Sequence, residues 1–384
     1  MRGPSRRSDV EPFHVMQVLQ AAAVRQRTHG DAIFLCAGQP SSPAPRAVLD
    51  AAHTALESHV LGYTETYGIR SLREAIAAHH REVSGIEVDA EEVFVTTGSS
   101  GAFLAVFLAA FDAGDTVAMT RPGYPAYRNT LRSIGCDVLE LDCGPDTRFQ
   151  PSLAQLEALP TAPAGLIIAS PANPTGTIID ADELARIAAW CAANGCLLIS
   201  DEIYHGIGFG RECSSAWRTS RDAVVVGSAS KFFSMTGWRV GWLLLPRWLH
   251  RPVDVLSGNL SICPPAISQY AAAAAFGAPA RTELLGHVER YARNRELLLH
   301  RLPELGITSY APPDGAFYAW CEVSHLTDDS TRWCTEVLAA TGVALTPGVD
   351  FDTVRGHDFV RLSFAGETAQ IDQALDRLVR FVAR

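Results

Sequence analysis

The stretch VVVGSASKFFSMTGWRVGWLLL, residues 224–245, places two short apolar runs on either side of a polar, glycine-bearing turn. Neither VVVGS at 224–228 nor GWLLL at 241–245 alternates apolar with polar residues. A continuous apolar run of this length suits a strand covered on both faces. The same kind of run recurs upstream as CLLIS at 196–200, LIIAS at 166–170, CDVLEL at 136–141, TVAMT at 116–120 and VFVTT at 93–97. Helical patterns lie between them. GAFLAVFLAAF follows the first run, and Asp180 to Ala193 reads as an amphipathic crossover, with Asp180 in the N-cap position and Gly195 near its stop. The seven runs predict one α/β sheet.

The ends of the chain have a different rhythm. Helical stretches such as His287 to Arg301 predominate there, with shorter strand candidates at Gly315–Trp320 and Phe359–Phe364. The expected organisation is an arm and part of a small α+β domain over 1–45, a large domain over 46–280, and the rest of the small domain over 281–384. The alanine run at 271–275 suits a helix near their junction.

Composition excludes several classes. In 384 residues, 32 Lys and Arg face 42 Asp and Glu, a net charge of -10 that offers no electrostatic footprint for nucleic acid. The longest nearly unbroken apolar run, Gly101–Phe111, is too short for a membrane span, and the start MRGPSRRSDVEP lacks the apolar stretch of a signal peptide. Nine scattered cysteines, with only Cys191 and Cys196 near each other, fit buried thiols in a reducing cytoplasm, and no metal site is expected.

In an open α/β sheet, ligands bind beyond the carboxyl ends of the strands. Polar residues collect at those ends here: Gly98 to Gly101 after VFVTT, Asn173 after LIIAS, Asp201 and Tyr204 after CLLIS, and Ser228, Ser230 and Lys231 after VVVG. TTGSSG at 96–101 reads either as a tight, capped turn or as a phosphate site at a helix N-terminus. It has neither a P-loop ending nor a dinucleotide fingerprint. Lys231 is the only lysine of the chain. An amine among small residues at a strand end can form a Schiff base with an aldehyde cofactor, which arginine cannot do. Arg239, eight residues on, can meet a phosphate in the same pocket, and Asp201 can keep a pyridine nitrogen protonated. PANPTG at 171–176 presents Asn173 on a turn that permits a cis bond before Pro174, and RPGYPAY at 121–127 offers Tyr124 as a flat platform. Arg361 in FVRLSF has apolar neighbours, so its planar fork calls for a carboxylate partner.

With SASKFFSMTGWRVG at 228–241 as its attachment segment, the chain resembles a fold-type I pyridoxal-phosphate enzyme of the class I and II aminotransferase family, from about Phe34 to the final helix. The resemblance implies an aspartate-aminotransferase-like α/β fold: a seven-stranded, mostly parallel sheet with its last strand antiparallel, plus a small domain built from both termini. It also implies pyridoxal 5'-phosphate on Lys231, with Asp201 at the ring nitrogen, Asn173 and Tyr204 at the ring oxygen, and Tyr124 stacked. Ser99, Ser100, Ser228 and Arg239 would surround the phosphate. Tyr63 would reach the phosphate of a second subunit in a homodimer with shared sites, and Arg361, with Gly38 beside it, would hold the substrate carboxylate.

Some bacterial aspartate-type relatives have a lysine in the loop after the first large-domain strand, whose matching position here is Ser100, so the expected donor is a neutral or apolar L-amino acid and the acceptor a 2-oxo acid such as pyruvate. Arg25, Arg27 and Arg128 are the candidates for a replacement clamp on a second carboxylate. Phe13, Val15 and Met16 read as packing of a terminal helix or as an apolar entrance. The competing readings are an aspartate-type aminotransferase, a lyase or cyclising enzyme on the same scaffold, and a non-catalytic ligand-sensing domain.

Overall fold

The computed structural model describes residues 3–383, so Met1, Arg2 and Arg384, at the ends of the expected arm and small domain, lie outside the described residues. The seven apolar runs form seven strands: β1 Val93–Thr97, β2 Thr116–Arg121, β3 Asp137–Asp142, β4 Gly165–Ala169, β5 Leu197–Asp201, β6 Val224–Ser228 and β7 Val240–Leu244. They make one sheet in the order β1-β7-β6-β5-β4-β2-β3. Only β7 runs against the rest, antiparallel to both β1 and β6.

Why these runs are unbroken is visible in the packing. Val225 joins one buried cluster while Val224 and Val226 join another, and Ile168 and Ile167 divide in the same way. Successive side chains point to opposite faces of a strand, so a sheet covered on both faces needs apolar residues at every position. Helices supply the two covers. Arg46–Ser58 lies against Ala266–Ala275, which contains the alanine run, and Gly98–Ala110 packs against Arg247–Ser261. No helix among the described residues is long and apolar enough to cross a membrane.

Both ends of the chain meet in a second region. Ile33–Phe34 pairs in parallel with Val343–Ala344, and a three-stranded sheet joins Thr346–Pro347, Phe359–Ser363 and Tyr318–Glu322. The strand expected at 315–320 begins later than its pattern suggests, because Ala316 has φ 57° and breaks the extended backbone. The expected crossover helix spans Ala181–Ala193 with Asp180 in the N-cap position. Its carboxylate does not cap the helix, being engaged by Arg211 instead.

Candidate active site

The carboxyl ends of β1, β4, β5 and β6 open onto one cavity, whose wall includes Ser99, Ser100, Tyr124, Asn173, Asp201, Tyr204, Ser230, Lys231 and Arg239. One corner is made by the turn from β1 into the helix Gly98–Ala110. Gly98 has φ +68°, and a Cβ there would collide with the Arg239 guanidinium. The glycine therefore allows both the left-handed turn and the approach of a cation to the helix start. Ser99 and Ser100 follow in the first helical turn, where free N–H groups and the helix dipole favour an anion. Arg239 itself sits at φ 56° and donates through Nη1 to the Thr236 carbonyl at 3.0 Å.

Asp201, the last residue of β5, is only 4% exposed. Burial drives its pKa up to about 6, although Oδ2 accepts from the Tyr127 hydroxyl and Oδ1 from the Ile203 amide, and both bonds favour the anion. Such a carboxylate calls for a cationic partner. Lys231 follows β6 and donates from Nζ to the Gly38 carbonyl at 2.6 Å. Its pKa is pulled down to about 8, first by burial and then by the positive charge of Arg361. A carboxyl shifted up and an amine shifted down in one cavity are marks of a chemical site rather than of a structural ion pair.

Arg361 crosses from the three-stranded sheet into the same space. It is 2% exposed, donating from Nη1 to Asn173 Oδ1 at 2.8 Å and from Nη2 to the Cys36 carbonyl at 2.8 Å. The rings of Tyr318 and Phe351 lie 4.3 and 4.8 Å from its Cζ. Nε is buried without a partner, and no carboxylate neutralises the group among these contacts. A guanidinium held in this way can accept an incoming carboxylate as a partner.

A family model described as aminotransferase class I and II matches residues 30–378. The chain belongs to the class I and II aminotransferases. A valine–pyruvate aminotransferase of Mycobacterium tuberculosis is 54% identical, over 97% of this chain and 96% of that protein. An aminotransferase crystal structure from the same organism has a TM-score of 0.98 at 53% identity, covering 100% of both chains. The aspartate aminotransferase of Thermus thermophilus with maleate gives a TM-score of 0.94 at 33% identity, over 99% of this chain and 100% of that one. The enzyme is thus a transaminase of a pyridoxal-phosphate-dependent family, acting between an amino acid and a 2-oxo acid.

In this aminotransferase most residues expected at the site do converge. The Asn173–Pro174 bond is cis. Tyr204 reaches the cavity but its hydroxyl is shared with Tyr318 at 2.7 Å, and the Asn173 oxygen is occupied by Arg361, which leaves the Nδ2 end of the amide as its donor. Ser228 stands apart from the wall. Its hydroxyl turns to the Val240 carbonyl at 3.4 Å and accepts the Ser230 amide at 3.1 Å, so of this pair it is Ser230 that faces the cavity. Tyr63 is 84% exposed and does not line the cavity of its own chain.

The three arginines considered for a second carboxylate are committed or remote. Arg25 pairs with Asp31, Arg128 pairs with Glu140 and the Asp350 carbonyl, and Arg27 is exposed. Phe13, Val15 and Met16 do both things expected of them. Val15 packs against Phe351 and Trp320, and all three line a groove with Leu19, Lys231 and Arg361. Tyr127 and Tyr318 were not foreseen. Tyr127 lies in the first turn of the helix that Tyr124 precedes as its N-cap residue, a spacing that could have flagged it, whereas nothing in GAFYAW marks Tyr318.

Proposed function

We propose that this aminotransferase carries pyridoxal 5'-phosphate on Lys231 and moves the amino group of a neutral, apolar L-amino acid, valine being the reference donor, to pyruvate or a related 2-oxo acid. The carrying observation is the groove itself. It brings the Arg361 fork, whose Nε is unpaired, together with the apolar side chains of Phe13, Val15, Met16 and Leu19, with Gln39 and Thr236 as further polar lining. Ser100, at the place of the loop lysine of aspartate-type relatives, has no charge to offer a second carboxylate. The 54% identity to a valine–pyruvate aminotransferase supports the same donor class.

The residues present fit the cofactor. Gly98, Ser99, Ser100, Ser230 and Arg239 would hold its phosphate, Asp201 would keep the ring nitrogen protonated, Tyr204 and Asn173 would hydrogen-bond the ring oxygen, and Tyr124 would be the stacking platform. When bound, the pyridine ring supplies a sink for the electron pair left at the donor's α-carbon. The protein does the rest. Arg361 fixes the donor carboxylate by a two-pronged contact, the apolar groove orients the side chain, and the Lys231 amine, its pKa near 8, is the base that moves the α-proton.

Three further readings belong with this proposal. The chain divides into an arm with part of the small domain at 1–45, a large domain at 46–280 and the remaining small domain at 281–384, supported by the pairing of Ile33–Phe34 with Val343–Ala344. It works as a homodimer that covers the exposed run containing Leu56, Val60, Leu61 and Tyr63, Tyr63 reaching the second site. It resides in the cytoplasm, supported by nine cysteines that all remain free thiols.

The test is a donor panel. The aldehyde form of the enzyme is mixed with single amino acids without an acceptor, and its conversion to the amine form is followed by absorbance. Valine, methionine or alanine should convert it faster than aspartate or glutamate at equal concentration. A dicarboxylate outpacing every neutral donor would overturn the donor class, and release of ammonia with the aldehyde form retained would establish a lyase.

A further inference from the structure

The helix His14–His29, which carries Val15, Met16 and Leu19 into the groove, begins without a cap of its own. The N-cap position is Phe13, no side chain caps it locally, and no acidic residue stands in the first turn. A helix start leaves four N–H groups without partners inside the helix. Here two are taken from a distance: Asp350, over 330 residues away in sequence, accepts the His14 amide on Oδ1 at 3.0 Å and the Val15 amide on Oδ2 at 2.7 Å.

The turn bearing Asp350 is itself anchored to the other side of the site. Arg128 Nη2 donates to the Asp350 carbonyl at 2.9 Å while Nη1 pairs with Glu140 at 2.9 Å. The Gly123 amide, beside Tyr124, donates to the Phe351 carbonyl at 2.9 Å. Asp350 is 2% exposed, so its carboxylate is confined to this geometry. The far end of the helix is held independently: Arg25 pairs with Asp31 at 2.7 Å and donates to the Ala339 carbonyl at 2.8 Å, and Ala22 packs on Cys36 and Ala344.

We propose that Asp350 is a positioning residue for donor selectivity: its carboxylate seats the first turn of the helix His14–His29 and thereby fixes the apolar wall that the donor side chain meets. It lines neither the cavity nor the groove. Because the helix is anchored separately at its C-terminal end, loss of the carboxylate frees the first turn rather than the whole helix. This rests on the groove being the side-chain pocket, as proposed above, while the seating of the helix stands apart from any substrate.

The experiment compares the wild-type holoenzyme with Asp350→Ala and Asp350→Asn. The first-order conversion to the amine form is measured against concentration for alanine, 2-aminobutyrate and valine without an acceptor, and amide hydrogen exchange is followed over residues 14–20. A methylene in an apolar pocket is worth about 10- to 200-fold in specificity. Asp350→Ala should therefore lower the apparent second-order constant for valine by about 10-fold or more, through a higher saturation constant, while alanine changes by less than about 3-fold. Exchange over the first turn should speed up. Asn keeps the side-chain shape and one acceptor oxygen, so its losses should be intermediate, and it carries the test if the alanine variant does not fold.

A loss equal for all three donors would overturn the inference, since it would place the effect at the carboxylate fork that every amino acid shares. Unchanged exchange over residues 14–20 would overturn it as well. A wild-type preference for dicarboxylates would sink the donor class alone, because the exchange data and the variant-to-wild-type ratios would still report on Asp350.

Discussion

Replacing Asp201 by asparagine should make the cofactor-free enzyme more stable while disabling the loaded one. Burial lifts the folded-state pKa from 3.8 to about 6, so the carboxylate is strained in its charged form. The shift of about 2 units at ~1.36 kcal/mol each corresponds to ~3 kcal/mol. The sign follows from the direction. A carboxyl raised on folding binds its proton more tightly in the folded state, so the cost is absent below the unfolded value near 3.8, grows as pH rises and is complete above about 6. At roughly 2.1 cal/mol/K per residue, 384 residues give an unfolding entropy of ~0.8 kcal/mol/K, and ~3 kcal/mol becomes a rise in Tm of up to ~4 °C.

The assay is thermal unfolding of the cofactor-free wild type and Asp201→Asn at several pH values. The variant should melt higher at pH 8, and its advantage should fall to about half by pH 5. In the loaded enzyme the same change should slow α-proton removal by about 100-fold, the scale of a lost electrostatic contact in a closed site. A Tm difference that stays constant between pH 5 and pH 8 would refute the reasoning, because the strain would not then lie in the carboxylate charge.

Tyr127→Phe removes a hydrogen bond that favours the Asp201 anion, so the acid limb of the pH–rate profile should move to higher pH; an unmoved limb would dismiss the pair. Gly98→Ala should weaken cofactor affinity by at least about 10-fold by pushing Arg239 from the helix start and straining a left-handed residue; equilibrium titration with pyridoxal phosphate would show an unchanged Kd if the cradle lies elsewhere. Arg361→Lys keeps a positive charge but loses the planar fork, so the apparent affinity for every donor should fall by a similar factor, which stopped-flow half-reactions can check.

The large sheet was legible because burial on both faces leaves a simple trace, consecutive apolar residues in the central strands such as Gly165–Ala169 and Val224–Val226, whereas the edge strand Asp137–Asp142 keeps exposed Asp137 and Asp142. The strands at the chain ends were harder to bound. Ala316 breaks the run 315–320 with a left-handed backbone that an alanine gives no reason to expect. At the site, Asp201 and Lys231 announce themselves as charged groups at apolar strand ends, and Arg361 as one in the middle of an apolar strand, where their burial needs a purpose. What the sequence does not convey is who partners whom. Ser228 and Ser230 alternate on one segment, and only the turn beyond β6 decides that Ser230 faces the cavity. Tyr318 and Asp350 act through contacts with residues more than one hundred positions away, and no local pattern encodes a contact of that kind.

The lone lysine permits an unusually direct test of the reaction centre. Borohydride reduction of the enzyme supplied with pyridoxal phosphate, followed by peptide mass analysis, should place a single adduct on the peptide containing Lys231, with only the N-terminal amine as a competitor. Prior incubation with valine in the absence of an acceptor should abolish that adduct, since the amine form of the cofactor is no longer joined to the lysine, and addition of pyruvate should restore it. An adduct confined to the N-terminus, or one on Lys231 that valine leaves undiminished, would contradict the assignment of Lys231 as the centre of a transamination.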